Sequence, residues 1–184
     1  LYKVPVSSTL EAMVEAIRSD QRTRELTEGY RLYHLGSLKD ESMMFAVPCV
    51  FEGGKAQKHV VRLTGISMVD FDHADQLTIE NGKLKIIADP HTLMCYTTIS
   101  GEGLRVLYRY ELDNRYDLKQ QIQYYSKAFA AGNAYYEKLT GAKADEKCKN
   151  VTRLSGLAHD ETVYYNPDAE AFPAEWIEAE WAKV

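Results

Sequence analysis

The sequence predicts an α+β protein in which a mixed sheet is flanked by helices. Three observations point there. Ile66-Ser67-Met68-Val69-Asp70-Phe71-Asp72 is apolar on both faces until its acidic end, as a strand inside a covered sheet is. Residues 92–99 and 104–112 are two β-type runs joined by Ser100-Gly101-Glu102-Gly103, a good hairpin turn. Residues 117–139 carry Leu118, Ile122, Tyr125 and Phe129 at helical period. Helices and strands alternate irregularly and no repeat or low-complexity linker appears, so the 184 residues fit one domain.

In chain order, residues 7–19 read as a helix. Ser8 and Glu11 have capping-box spacing, and Leu10, Met13, Val14 and Ile17 share one face. The charged stretch 20–28 is expected to include a turn. Residues 29–45 read as helix with breaks, weakened by Gly36. Residues 46–51 are a short β run, Glu52-Gly53-Gly54-Lys55 is a turn, and 59–63 return as a second strand. A short helix is expected over 74–80. Asp117 and Gln120 again have capping-box spacing, and Gly141 ends that longest helix. Residues 154–158 and 162–165 look extended, and 174–182 read as a helix carrying Trp176, Ile177 and Trp181. The expected core is 30–166, with 167–184 as an extension.

Net charge is 22 − 27 = −5, with pI about 5.6. A protein held to duplex DNA by overall charge is usually basic, so a nucleic-acid role here needs a local patch or a metal. Tyr outnumbers Phe by 13 to 5; tyrosines can stack on bases but more often are half-buried amphipathic residues. Cys49, Cys95 and Cys148 are odd in number and far apart, which argues against a disulfide framework or a zinc knuckle. A reducing, cytoplasmic setting is expected. No apolar run approaches the ~20 residues of a membrane helix. The chain opens on Leu1 rather than Met, and is expected to be a piece of a longer protein.

The sharpest chemical feature is Asp70-Phe71-Asp72. Alternation along a strand puts both carboxylates on one face, roughly 6–7 Å apart. A hard divalent cation, Mg²⁺ or Mn²⁺, would relieve their repulsion and serve phosphoryl chemistry. The bland alternative is a strand running into a solvated acidic turn. Phosphatases of the haloacid dehalogenase type share the DxD, but Ala74 stands where they place Thr or Val. A glycosyltransferase DxD holding a sugar nucleotide stays open. In Ser100-Gly101-Glu102-Gly103-Leu104-Arg105, two glycines permit a tight turn with amides for an anion, and Arg105 can grip phosphate as a fork. Alone, the segment reads better as an ordinary hairpin with an exposed Arg. A third segment runs from Arg153 to His159 and Asp160. Asp160 is placed in the chain to complete a carboxylate triad, and His159 to orient a phosphate or carboxylate. In isolation it reads better as a satisfied loop pair. His34, His59, His73 and His91 show no ligand spacing.

Taken in order, these segments resemble one family. Thr64-Gly65-Ile66 leads into Asp70-Phe71-Asp72-His73. Ser100-Gly101-Glu102-Gly103-Leu104-Arg105 follows, then Arg153-Leu154 to Asp160 before Tyr165-Asn166. The series is similar to the N-terminal domain of VirE-like (virulence-associated E) proteins of bacterial mobile elements, related to the archaeo-eukaryotic primase and primase-polymerase superfamily. The resemblance runs from about Tyr30 to Asn166. It implies a primase-polymerase-like fold and metal-dependent nucleotidyl transfer from a nucleoside triphosphate, in replication of a mobile element. Asp70, Asp72 and Asp160 would be the catalytic carboxylates and metal ligands. Ser100, Gly101, Gly103, Arg105, Arg153 and His159 would contact the nucleotide. Members with primase chemistry usually carry His where Arg105 stands. The expected partners are a nucleoside triphosphate, single-stranded DNA and a fused or associated helicase; no GxxxxGK[ST] is present here. Two further readings are kept: a catalytically degenerate DNA- or protein-binding module beside a helicase, and a DxD transferase using a sugar nucleotide.

Overall fold

The computed structural model describes residues 4–72 and 75–183, without the side chain of Cys148. His73 of the DxD segment and the expected helix start at Ala74 lie outside the described residues.

The first helix, α1, is Leu10–Ser19. Its cap is Thr9, one residue later than expected, whose hydroxyl accepts from the Ala12 amide at 3.1 Å. Met13, Val14 and Ile17 point into the core, as the spacing predicts. The charged stretch after it is helical rather than a turn: α2 spans Gln21–Tyr33. Asp20 caps it by accepting from Thr23 N at 2.8 Å, and Arg24–Glu28 adds an i,i+4 pair at 3.1 Å. The charges lie outside while Thr23, Leu26 and Thr27 are buried. His34 ends α2 in the left-handed region, and α3, Gly36–Asp40, follows.

Among the described residues eight strands follow the helical start. β1 (Met44–Ala46) pairs with β7 (Leu154–Gly156), and β2 (Cys49–Phe51) with β3 (Val60–Leu63). The main sheet has the order β4 (Ile66–Phe71), β6 (Leu104–Arg109), β5 (Thr92–Thr97), β8 (Tyr164–Tyr165). Its ladders are all antiparallel, where the sequence led us to expect a mixed sheet. The reason is topological. β4 and β5 are joined through helix α4 (Gln76–Ala88) and run parallel, but β6 folds back through its hairpin into the slot between them. Helix α4 is longer than expected, capped by Asp75, and Gly82 lets it approach Thr140 of the long helix α5.

Helix α5, Leu118–Thr140, carries the expected capping box between Asp117 and Gln120 and stops at Gly141. It crosses one sheet face. Tyr125 meets Ser67 at 3.1 Å, Tyr136 meets Thr92 at 2.9 Å, and Tyr108 donates to Ala128 O at 3.0 Å. Tyr96, Tyr108, Tyr110, Tyr124, Tyr125 and Tyr136 are thus core residues rather than an exposed stacking surface; the hydroxyls of Tyr110 and Tyr124 are buried without a hydrogen-bond partner among the described residues. α6, Ala174–Ala182, matches its predicted limits and packs against α5. On the opposite sheet face lies β7, where Ser155 Oγ contacts Met68 Sδ at 3.4 Å. Cys49 and Cys95 are free and buried, and burial lifts their thiol pKa values to about 11 and about 12. His91 stacks on Phe172 at 4.1 Å and His59 meets Glu52 O at 3.1 Å, both in structural roles. Among the described residues no helix is long and apolar enough to cross a membrane.

Candidate functional site

The segments singled out in the sequence gather at one end of the main sheet. Three of their residues form a row across it: the register pairs Asp70 with Arg105, and Arg105 with Tyr96. Strand alternation puts all three on the face away from α5. Arg105 Nε donates to Asp70 Oδ1 at 2.6 Å, and Nη2 to Oδ2 at 3.0 Å. Nη1 donates to Tyr96 Oη at 3.0 Å and to Gly156 O at 2.9 Å. The Tyr96 hydroxyl donates in turn to Gly156 O at 3.1 Å.

This is a fork-on-carboxylate ion pair taken almost wholly out of water. The Asp70 side chain is 4% exposed and that of Arg105 14%. Burial alone would lower the guanidinium's pKa; the facing Tyr96 and Asp70 oxygens reverse this and hold it above its ordinary value. Burial raises the Tyr96 pKa, which keeps its proton available to Gly156. Each charge would be costly alone, and together they satisfy each other's donors and acceptors.

Asp72 lies one residue past β4 and is exposed. Its Oδ1 stands 3.1 Å from where a Cβ on Gly103 would be, with Phe71 O at 2.6 Å and Thr98 Oγ1 at 2.8 Å from the same point. Only glycine permits that approach, so Gly103 is fixed by packing. The turn itself is closed inward. Gly101 N donates to Thr98 O at 2.9 Å, and Glu102 N to Ser100 Oγ at 3.2 Å. Those two amides are not turned outward as an anion cradle. Arg31, from the last turn of α2, braces the loop by donating to Ile99 O at 3.2 Å and Thr98 O at 3.1 Å. Sequence reasoning missed Arg31, because nothing local ties a helix-end arginine to a turn 70 residues on.

Asp160 has a different task from the one expected. Its Oδ2 accepts from Thr97 N at 2.9 Å, and Oδ1 accepts from the amide and hydroxyl of Thr162, each at 2.9 Å. Burial raises its pKa, but those hydrogen bonds and nearby Lys83 outweigh it and leave the carboxyl below its usual range. Thr98 N bonds across to Gly103 O, so the Thr97 amide, and Asp160 with it, faces away from β6. Asp160 therefore sits beyond β5, two strand spacings or about 10 Å of sheet from β4. His159 packs on α2, its amide donating to Thr27 Oγ1 at 2.9 Å and its Nε2 3.6 Å from Glu161. Arg153 is exposed in a loop whose Asp145 amide donates to Asp70 O at 2.8 Å.

The expected triad is thus not assembled. Among the described residues no three His, Cys, Asp or Glu side chains stand close enough to hold a metal ion. The donors do not fit Mg²⁺ or Mn²⁺. Both oxygens of Asp70 face a buried guanidinium, and both of Asp160 cap backbone. Arg105, expected to grip a triphosphate, is held inside the sheet instead. The register sets Asp70 opposite Arg105, beside the glycine turn, and in this structure the partner of Asp70 is that guanidinium.

No curated protein and no solved structure matches the chain. One family model matches residues 37–165, a span that contains every strand of the fold and stops at the last residue of β8. The matched span covers well over half the chain, the Asp70–Arg105–Tyr96 row included, and the chain belongs to the family of the BT4734-like N-terminal domain.

Proposed function

We propose that this domain is a non-catalytic, nucleic-acid-binding relative of the VirE-like and primase-polymerase domains, serving a helicase in the cytoplasmic replication of a mobile element. The observation that carries the non-catalytic part is the bidentate Asp70–Arg105 pair. Each oxygen of this carboxylate already accepts from a buried guanidinium, whose positive charge stands where a dication would have to approach. Nucleotidyl transfer through Asp70, Asp72 and Asp160, and sugar-nucleotide transfer through the DxD, both require that pair to open first.

Binding is supported by the loop beside the row. Lys143, Lys147, Lys149 and Arg153 are exposed, and none makes an ion pair with a described residue. Only Asp145 and Glu146 oppose them within that stretch. The loop gives a local positive patch to a chain of net charge −5, as phosphate contacts need.

The test is fluorescence anisotropy with a labelled single-stranded oligothymidylate. Wild-type affinity should fall linearly in log–log form as salt rises. Reversing Lys147, Lys149 and Arg153 to Glu should weaken binding roughly tenfold or more and flatten the salt slope. Equal binding by wild type and triple variant, or no binding at low salt, contradicts the reading.

A further inference from the structure

A cleft of about 650 Å³ lies between the start of β3 and the first turns of α5, away from the Asp70–Arg105 row. Val60, Leu118 and Ile122 line it with aliphatic surface. Lys58 and Lys119 stand among them, one from each element, both exposed. Gln57 and Gln123 add amides able to pair with a peptide backbone.

Lys58 and Lys119 put positive charge on both walls of the cleft. Neither Lys58 nor Lys119 has an ion-pair partner among the described residues. The neighbouring carboxylates are engaged elsewhere: Asp117 in the capping box of α5, and Asp113 with Arg115 at 2.6 Å. Lys55 and Arg62 are exposed on the same β2–β3 hairpin, against one carboxylate there, Glu52. The net sign of that hairpin is opposite to that of the chain as a whole.

We propose that this cleft docks an acidic protein segment bearing aliphatic side chains, seated with its apolar residues on Val60, Leu118 and Ile122 and its carboxylates at Lys58 and Lys119. The aliphatic lining decides between a protein segment and a nucleic-acid strand. Among the described residues no aromatic ring lines the cleft, so they offer no platform on which bases would stack. Short apolar anchors between two lysines instead suit a Leu- or Ile-containing acidic peptide. The site is separate from the one proposed for nucleic acid and does not rest on it.

The probe is a short fluorescent peptide alternating Glu and Leu, titrated with the full chain. Wild type should bind it, more weakly as salt rises. Lys58→Glu with Lys119→Glu should weaken binding on the order of tenfold or more. Both positions are exposed, and Glu in the first turn of α5 favours the helix dipole, so the fold is retained. Ile122→Ser should weaken the same peptide at high salt, where charge contributes little. The oligothymidylate should bind the Lys58/Lys119 variant as well as wild type. No peptide binding, equal peptide binding by the charge variant, or loss of oligothymidylate binding in that variant overturns the proposal; the last would assign the cleft to nucleic acid.

Discussion

Replacing Arg105 with Met should cost about 3–5 kcal/mol of folding stability. The loss comes from Asp70, whose carboxylate, at 4% side-chain exposure, is deprived of the guanidinium that both its oxygens face. Tyr96 keeps its own bond to Gly156 O, so the rest of the row survives. The paired variant Arg105→Met with Asp70→Leu should recover most of that stability, because it removes both charges and fills the space with apolar atoms. Chemical denaturation of the three proteins checks this. A single Arg105→Met change that costs no more than an exposed ion pair, below about 1 kcal/mol, would show that the pair carries little of the fold.

The second large effect is expected at Gly132, in the middle of α5. Alanine is ordinarily the better helix residue by about 1 kcal/mol. Here its Cβ would stand 2.1 Å from Tyr108 Cζ and 2.2 Å from the hydroxyl. Tyr108 is fully buried, its ring lies against Phe172 and Tyr136, and its hydroxyl is bonded to Ala128 O. The ring has nowhere to swing without breaking that bond. Gly132→Ala should therefore destabilise by about 3 kcal/mol net, through overpacking and a lost buried hydrogen bond. Tyr108→Leu in the Gly132→Ala background should cost much less than Tyr108→Leu alone. Additive costs in that cycle would show that the two sites do not touch.

Most of the fold was legible where the signal is local. The run 66–72, the hairpin around Ser100 to Gly103, the capping box at Asp117 and the tail helix all stand where the sequence put them, because alternation, turn glycines and caps act within a few residues. The misreadings arose where a local rule met a long-range one. Residues 20–28 look like a solvated turn by composition, yet Asp20 caps a helix whose three small or aliphatic contacts face inward. The alternation of helices and strands suggests a mixed sheet, but β6 takes the place between β4 and β5 and makes the ladders of the main sheet antiparallel, a choice made by the sheet as a whole.

The site was legible in position and not in chemistry. Asp70 was read as the acidic end of its strand, whereas it lies 3% exposed within it. A carboxylate that deep needs a partner, and either a metal or a guanidinium satisfies the need equally well on paper. Only the register, which sets Arg105 directly opposite across β4 and β6, decides between them. Asp160 was similarly ambiguous, since an aspartate two residues before a threonine can be a ligand or a turn cap. The structure makes it a cap.

Asp70 is proposed to serve Arg105 and not a metal. Thermal unfolding of the wild-type chain with and without millimolar Mn²⁺ plus a nucleoside triphosphate tests it directly, since a ligand bound to the folded state raises the midpoint by mass action. The same midpoint is expected in both conditions for wild type and for Asp72→Asn. A rise of several degrees in wild type that Asp72→Asn abolishes would contradict it, and would mean that the Asp70–Arg105 pair opens to form a metal site.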